Sequence, residues 1–235
     1  MTILLLATSN PGKRMEMFAI LAALGYRTAQ PPPFDGIERA WHVVDAGSLG
    51  ISLAVVEDGD TYAENAGLKA RAYCQASGIV TLADDSGLEV DALDGAPGLH
   101  SARYSSKPGA TDADRRTLLL RHLAGVPRPW RARFRCAVVI AVPSREDGAL
   151  PAMATESGSP RYSHIDLHPF EGRCEGEIVP QARGSHGFGY DPIFYIPELG
   201  KTMAELETVE KNRISHRGRA IAAAKPFLDD LMRQM

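Results

Sequence analysis

The sequence predicts a mixed α/β fold, and three observations predict it. The chain opens on an apolar run that leads directly into a stretch with helical spacing. Thr-x-x-acid pairs that mark helix starts recur along it, and short apolar or alternating runs fall between those helices. No repeat, low-complexity tract or convincing linker divides the 235 residues, so the expectation is a single domain over residues 1–235.

The elements follow in order. "TILLLA" reads as a buried strand, and "GKRMEMFAILAALG" as a helix whose Met17, Ile20, Leu21 and Leu24 share a face, with Gly25 at its end. "AQPPPFDGIERAWHVVDAGSLG" carries three consecutive prolines, which suit neither helix nor ladder, and is read as mostly loop. Thr61 and Glu64 form a capping box that predicts a helix from about Tyr62 to Ser77, stopped by Gly78. "IVTLA" is then a strand that places Asp84 and Asp85 at its carboxyl end, where open α/β sheets carry their ligands.

Thr111 and Asp114 start a further helix bearing Leu118, Leu119 and Leu123 and closed by Gly125, and "ARFRCAVVIAV" reads as a long strand. From Ser144 to about Pro169 the chain is polar and without period, as an inserted loop or hairpin would be. "CEGEIV" and "YDPIFYIP" read as strands, and Thr202 with Glu205 makes another helix start. "SHRGRAIAAAKPFLDDLM" closes the chain as a helix, in which Pro226 predicts a kink.

Composition limits the function. The chain is 44% apolar and 23% charged with a net charge of -3, ordinary for a soluble protein and unlike a basic nucleic-acid or membrane-surface binder. Its three cysteines are far apart, which suggests neither a zinc knuckle nor a disulfide framework and fits a reducing cytoplasm. No run has the length of a membrane span, and the apolar start lacks the form of a signal peptide.

Several short stretches have the chemistry of a site. "TSNPGK" joins strand to helix, so its N–H groups and the Lys13 ammonium suit an anion; an ordinary turn with an exposed lysine explains it equally well. The adjacent Asp84 and Asp85 repel unless something compensates them. A Mg²⁺ ion would, or one of them serves as base on water; taken alone, a solvated turn before Gly87 is the plainer reading. Glu57 is a candidate third ligand, with a solvent-facing charge beside Asp58 and Asp60 the plainer reading, and Lys69 shares a helix face with Asn65, both facing either a phosphate or water. Phe188 stands between glycines that would let a flat ligand approach, followed by Asp191; a core phenylalanine and a turn are the alternatives. Ser215 is a good N-cap, which puts His216 and Arg217 in a first helical turn where the dipole disfavours a cation; Arg217 either faces a ligand or is a surface arginine. His164 and His168 are four apart, but their Pro and Gly neighbours argue against a zinc helix. Trp41 and Phe34 suggest either an interface patch or a loop anchored on its own core.

Together, "ATSNPGK", "ENAGLKARAY", "ADDSGLEVDALDGAPGLHSARY", "FEGRCEGEI", "GFGYDPIFYIPE" and "EKNRISHRGRA" resemble the inosine triphosphate pyrophosphatase family, also called Ham1 or non-canonical purine NTP pyrophosphatases, and its bacterial members in particular. The match runs over nearly the whole chain. Ser9 stands where many members have glycine, and the segments near 31–48 and 144–169 are longer than is typical.

The resemblance implies an elongated α/β protein with a long mixed sheet and two lobes around a central cleft. It also implies a cytoplasmic homodimer, and Mg²⁺-dependent hydrolysis of XTP, ITP and dITP to monophosphate and pyrophosphate. By the same resemblance Asn10, Lys13 and Lys69 contact the triphosphate, and Thr8, Ser86, Gly189 and Tyr190 contact substrate. Glu57 and Asp85 form the metal and water site with Asp84 in support, and Phe188, Asp191, Lys211, His216 and Arg217 form the base-recognition set. A Maf-type house-cleaning enzyme for modified pyrimidines is the nearest rival.

Overall fold

A computed structural model describes residues 2–28, 41–144 and 164–234. Seven strands form one sheet: β1 (Thr2–Ala7), β2 (Trp41–Asp45), β3 (Thr81–Val90), β4 (Trp130–Ser144), β5 (His164–Ile178), β6 (Phe194–Ile196) and β7 (Lys201–Thr202), in the order β2-β1-β3-β4-β5-β6-β7. The sheet is mixed. β1 runs parallel to β2 and β3, whereas β6 is antiparallel to β5 and β7. The helices are α1 (Pro11–Ala23), α2 (Tyr62–Ser77), α3 (Asp112–His122), α4 (Thr208–Ile214) and α5 (His216–Gln234). None of the described helices is long and apolar enough to cross a membrane.

The helix starts follow the sequence closely. Thr61 and Glu64 close a reciprocal capping box on α2, Gly78 ends that helix in the left-handed region, and Thr111 with Asp114 does the same service at the start of α3. Ser215 accepts a hydrogen bond from the Gly218 N–H at 3.0 Å, as expected of the cap of α5. Pro226 lies inside that helix.

Four strands depart from expectation. Trp41–Asp45 is a strand rather than loop, and Ala46–Leu49 a short 3-10 turn, because the chain leaves the prolines before residue 41 and pairs in parallel with β1. Phe34, like most of the two longer segments, lies outside the described residues. β5 begins at His164, so His164 and His168 sit on a strand and not in a loop or on a helix; the His164 ring lies 3.0 Å from Asp166, and the His168 ring packs on Phe227. β3 runs on through Asp84 and Asp85 to Val90. Its pairing with β1 stops at Ala83, so the two aspartates follow the end of the parallel pairing while the strand continues beside β4. In "YDPIFYIP", Asp191–Ile193 is a 3-10 turn and Phe194–Ile196 alone is strand.

The chain divides into two compact units, residues 1–85, 137–171 and 220–235 in the first, and 86–136 and 172–219 in the second. The core of the first gathers Leu5, Ala66, Ala70, Cys74, Ala83 and Val139. Trp41 is fully buried there and its indole N–H donates to the Leu228 carbonyl at 3.0 Å, so it anchors the chain on its own core. The second unit packs Leu88, Leu119, Trp130, Phe134, Phe194 and Met203 around another core.

Candidate active site

In the first unit, β1 ends in the loop Thr8-Ser9-Asn10 and α1 begins at Pro11. Thr8 Oγ1 accepts from the Asn10 N–H at 3.3 Å, and Asn10 Oδ1 accepts from the Lys13 N–H at 3.1 Å, so Asn10 is the N-cap of α1. Lys13 leaves the first turn of that helix and its Nζ reaches Asp84 Oδ2 at 3.1 Å and Asp85 Oδ1 at 4.0 Å. From α2, Lys69 Nζ reaches Glu57 Oε2 at 2.9 Å and Asp85 Oδ1 at 3.9 Å. Carboxylates and ammoniums therefore alternate, in the order Asp84, Lys13, Asp85, Lys69, Glu57.

The electrostatics of that chain single out Asp85. Burial pushes its carboxyl above the ordinary range, the charges of Asp84 and Glu57 raise it further, and Lys13 and Lys69 oppose the rise. Asp84 is almost completely buried. Such a site holds a carboxyl group that takes up a proton more readily than a surface aspartate, beside two cations placed for anionic oxygens.

Asn65, grouped with Lys69 by helix spacing, has a different use. It is buried, its Oδ1 accepts from the Gly59 N–H at 2.9 Å and its amide donates to the Gly59 carbonyl, so it ties down the irregular loop that carries Glu57. That loop has no regular structure of its own to fix it.

The chemistry of the donor set fits a hard divalent cation. Glu57, Asp84 and Asp85 offer oxygen donors alone, and Glu57 and Asp85 already face one common positive charge, the Lys69 ammonium. Among the described residues no group of three or more His, Cys, Asp or Glu is gathered as a metal centre. In this cluster the two ammoniums lie among the carboxylates.

The second unit assembles the other predicted residues. Asp191 Oδ2 accepts from the Phe188 N–H at 2.9 Å and from Lys211 Nζ at 2.7 Å, with both charged side chains buried. The carboxylate read from the sequence as a reader of base N–H groups thus commits that oxygen to the protein's own loop. The Phe188 ring lies 5.3 Å from Lys211 Nζ and 5.8 Å from the Arg217 guanidinium carbon. Arg217 is 1% exposed and donates to Ser86 Oγ at 2.9 Å, while the His216 ring stacks on Phe134 at 4.7 Å. Its position in the first turn of α5 is as expected, and the Ser86 hydroxyl is one group that holds it there.

Tyr190 stands apart from that set. Its ring is in the core of the unit, its hydroxyl donates to the Ser101 carbonyl at 3.0 Å, and burial raises its pKa, so the side chain is an anchor. Gly189 is held by both of its peptide groups: its N–H donates to Asp112 Oδ2 at 2.7 Å and its carbonyl accepts from Arg116 at 2.6 Å. The sequence reading missed Asp112, Arg116 and Phe134. Asp112 and Arg116 had one available signal, their spacing of four on a capped helix; Phe134 looked like any other core residue of a strand.

The cysteines take no part. All three are buried, and burial pushes Cys74 up to about 12 and Cys174 up to about 11, far from reactive thiolates.

Comparison with known proteins bears on the whole chain. The Ham1 family profile matches residues 4–227. A dITP/XTP pyrophosphatase of Desulforamulus reducens is 41% identical over 229 residues, 97% of this chain and 96% of that protein. One of Mannheimia succiniciproducens is 43% identical over 227 residues, 96% and 97% of the two chains. Among solved structures, a HAM1 protein from Coxiella burnetii superposes with a TM-score of 0.73 at 35% identity, covering 98% of this chain and all of that one. The Staphylococcus aureus Ham1 protein gives 0.72 at 33%, with the same coverage.

Proposed function

The chain belongs to the Ham1 family, and from that premise we propose that it is a pyrophosphohydrolase clearing the nucleotide pool of XTP, ITP and dITP, each converted to its monophosphate and pyrophosphate. The observation that carries the reading is the alternating cluster at the start of α1. Two ammoniums and a helix N-terminus suit a triphosphate, and a buried carboxyl with a raised pKa suits a base acting on water.

On this reading Asp85 accepts a proton from a water molecule whose oxygen forms a bond to the α-phosphorus. The bond from that phosphorus to the α,β-bridging oxygen breaks, and its electron pair leaves with pyrophosphate. Lys13 and Lys69 exchange their carboxylate partners for phosphate oxygens and offset the charge that develops on the leaving group. Glu57 and Asp85, with Asp84 in support, would hold Mg²⁺, which when bound supplies a Lewis acid for phosphate oxygens and water. Thr8 and Asn10 fix the loop that starts α1.

The second unit supplies groups suited to a purine. Phe188 offers a flat apolar face. Arg217 and His216 are N–H donors that match the C6 carbonyl of hypoxanthine and xanthine, whereas the amino group of adenine would leave a donor facing a donor. We propose further that the protein acts as a cytoplasmic homodimer, as the family resemblance implies; light scattering that returned the mass of one chain would contradict the dimer.

The test is turnover of ITP with Mg²⁺ in ¹⁸O-water. Label in inosine monophosphate and none in pyrophosphate is the expected result. Label in pyrophosphate, or release of orthophosphate, would place the attack on another phosphorus and overturn the reading.

A further inference from the structure

The segment that carries Phe188 has little structure of its own. Gly187 and Gly189 flank the ring, both with positive φ (+75° and +60°), and the residues around them form bends and turns. Glycines leave a backbone many alternatives, so a ring set between two of them is ordered only by what holds the neighbouring peptides.

One flank is held from within the loop. Asp191 accepts the Phe188 N–H, the Asp191 N–H donates back to the Phe188 carbonyl at 3.2 Å, and a Cβ on Gly187 would come within 2.1 Å of Asp191 Oδ2. The other flank is held from α3. Asp112 and Arg116, one helical turn apart, take the N–H and the carbonyl of Gly189 at 2.7 and 2.6 Å. The clamp is itself fixed, since Arg115 pairs with the other Asp112 oxygen at 2.5 Å and also donates to the Ala110 carbonyl. The cap of α3 is supplied by Thr111 and Asp114; Asp112 serves the helix as well, as a first-turn carboxylate paired with Arg115, whereas the Arg116 guanidinium is turned to the loop.

We propose that Asp112 and Arg116 are positioning residues for base selection: by clamping both peptide groups of Gly189 they hold the Phe188 ring in the orientation in which a purine is recognised. The proposal rests on the base-reading assignment made above for Phe188. Neither residue is part of the phosphate cluster. Their loss therefore affects recognition of the base more than the chemical step.

The experiment compares the full-length wild type with Asp112→Ala, Asp112→Asn, Arg116→Ala and Arg116→Lys, each with ITP and with ATP, and with thermal melting as the folding control. Asp112→Ala and Arg116→Ala are expected to raise KM for ITP about tenfold, the size of one charge-assisted hydrogen bond, with kcat within about twofold. The ITP-to-ATP ratio of kcat/KM then falls by a similar factor. Asp112→Asn keeps an acceptor for the Gly189 N–H and recovers most of that loss, as does Arg116→Lys for the carbonyl.

The clamp is overturned if the alanine variants keep the wild-type ratio, if kcat falls together with melting temperature while KM stays unchanged, or if Asn rescues no better than Ala. Arg116→Ala removes no group near the helix cap and carries the test should Asp112→Ala fail to fold. A wild type without preference for ITP over ATP is a different outcome: it overturns the base-reading assignment, and the clamp with it.

Discussion

At the scale of single residues, the account turns on Asp85. Burial, helped by Asp84 and Glu57, raises its pKa, and Lys13 and Lys69 oppose that rise; its Oδ1 lies within 4.0 Å of both ammoniums. A carboxamide of the same shape keeps the packing and loses the proton acceptor. Asp85→Asn should therefore lower kcat for ITP by about 10²- to 10⁴-fold, the usual contribution of a general base. Steady-state kinetics with Mg²⁺ checks this, and near-normal kcat would remove Asp85 from the chemistry. The Asp84-Asp85 pair was visible in the sequence as an electrostatic problem in want of a partner. The sequence reading took Mg²⁺ as the partner and did not set Lys13 and Lys69 against the pair, because they come from two different helices, and the parallel register of β1 on β3 brings Lys13 to the pair. Asn65 shows the opposite case: helix spacing placed it beside Lys69, but its short side chain turns to the Gly59 backbone.

At the scale of elements, caps were the most legible feature, since Thr61 with Glu64 and Thr111 with Asp114 are local patterns with local causes. Strands without apolar alternation were the least legible. β5 exposes or half-exposes most of its residues over its first half, so its start at His164 left no periodic signal, and β2 was obscured by the prolines ahead of it.

The start of α3 yields a prediction of its own. Burial raises the Asp112 carboxyl, but the hydrogen bonds from Arg115 and the Gly189 N–H, with the charges of Arg115 and Arg116, hold it below the ordinary range on balance. Hydrogen bonds from Lys107 and Thr111 hold Asp114 below it as well. A depressed folded-state pKa contributes stability that is present above the unfolded value, near about 4, and is lost as pH falls through the lower folded value. Denaturant midpoints should therefore fall on acidification below about pH 4, and Asp112→Asn should flatten that limb. An acid limb as steep in the variant as in the wild type would show that Asp112 does not contribute to it.

At the scale of the whole molecule, the mixed sheet with its flanking helices agrees with the fold read from the sequence, and the family match spans residues 4–227. Long-range order of motifs made this legible where no single loop was specific: a strand-loop-helix with a lysine, an acidic pair on a strand and an arginine at a helix start are each commonplace. The two compact units were less legible, because the chain enters the second at Ser86, leaves it after Cys136, returns at Gly172 and leaves again after Arg219, with no change of composition at any crossing. Lys13, Lys69, Glu57, Asp84 and Asp85 lie in the first unit, and Ser86, Phe188, Asp191, Lys211, His216 and Arg217 in the second. If the chain hydrolyses non-canonical purine triphosphates at the α-phosphorus, a product-resolved assay of the purified protein with Mg²⁺ on ITP, XTP, dITP, GTP and ATP, separating pyrophosphate from orthophosphate, shows it. Pyrophosphate from ITP, XTP and dITP, with little turnover of GTP or ATP, is expected; orthophosphate release, or equal turnover of all five, would mean that the chain acts on another phosphorus or does not select non-canonical purines.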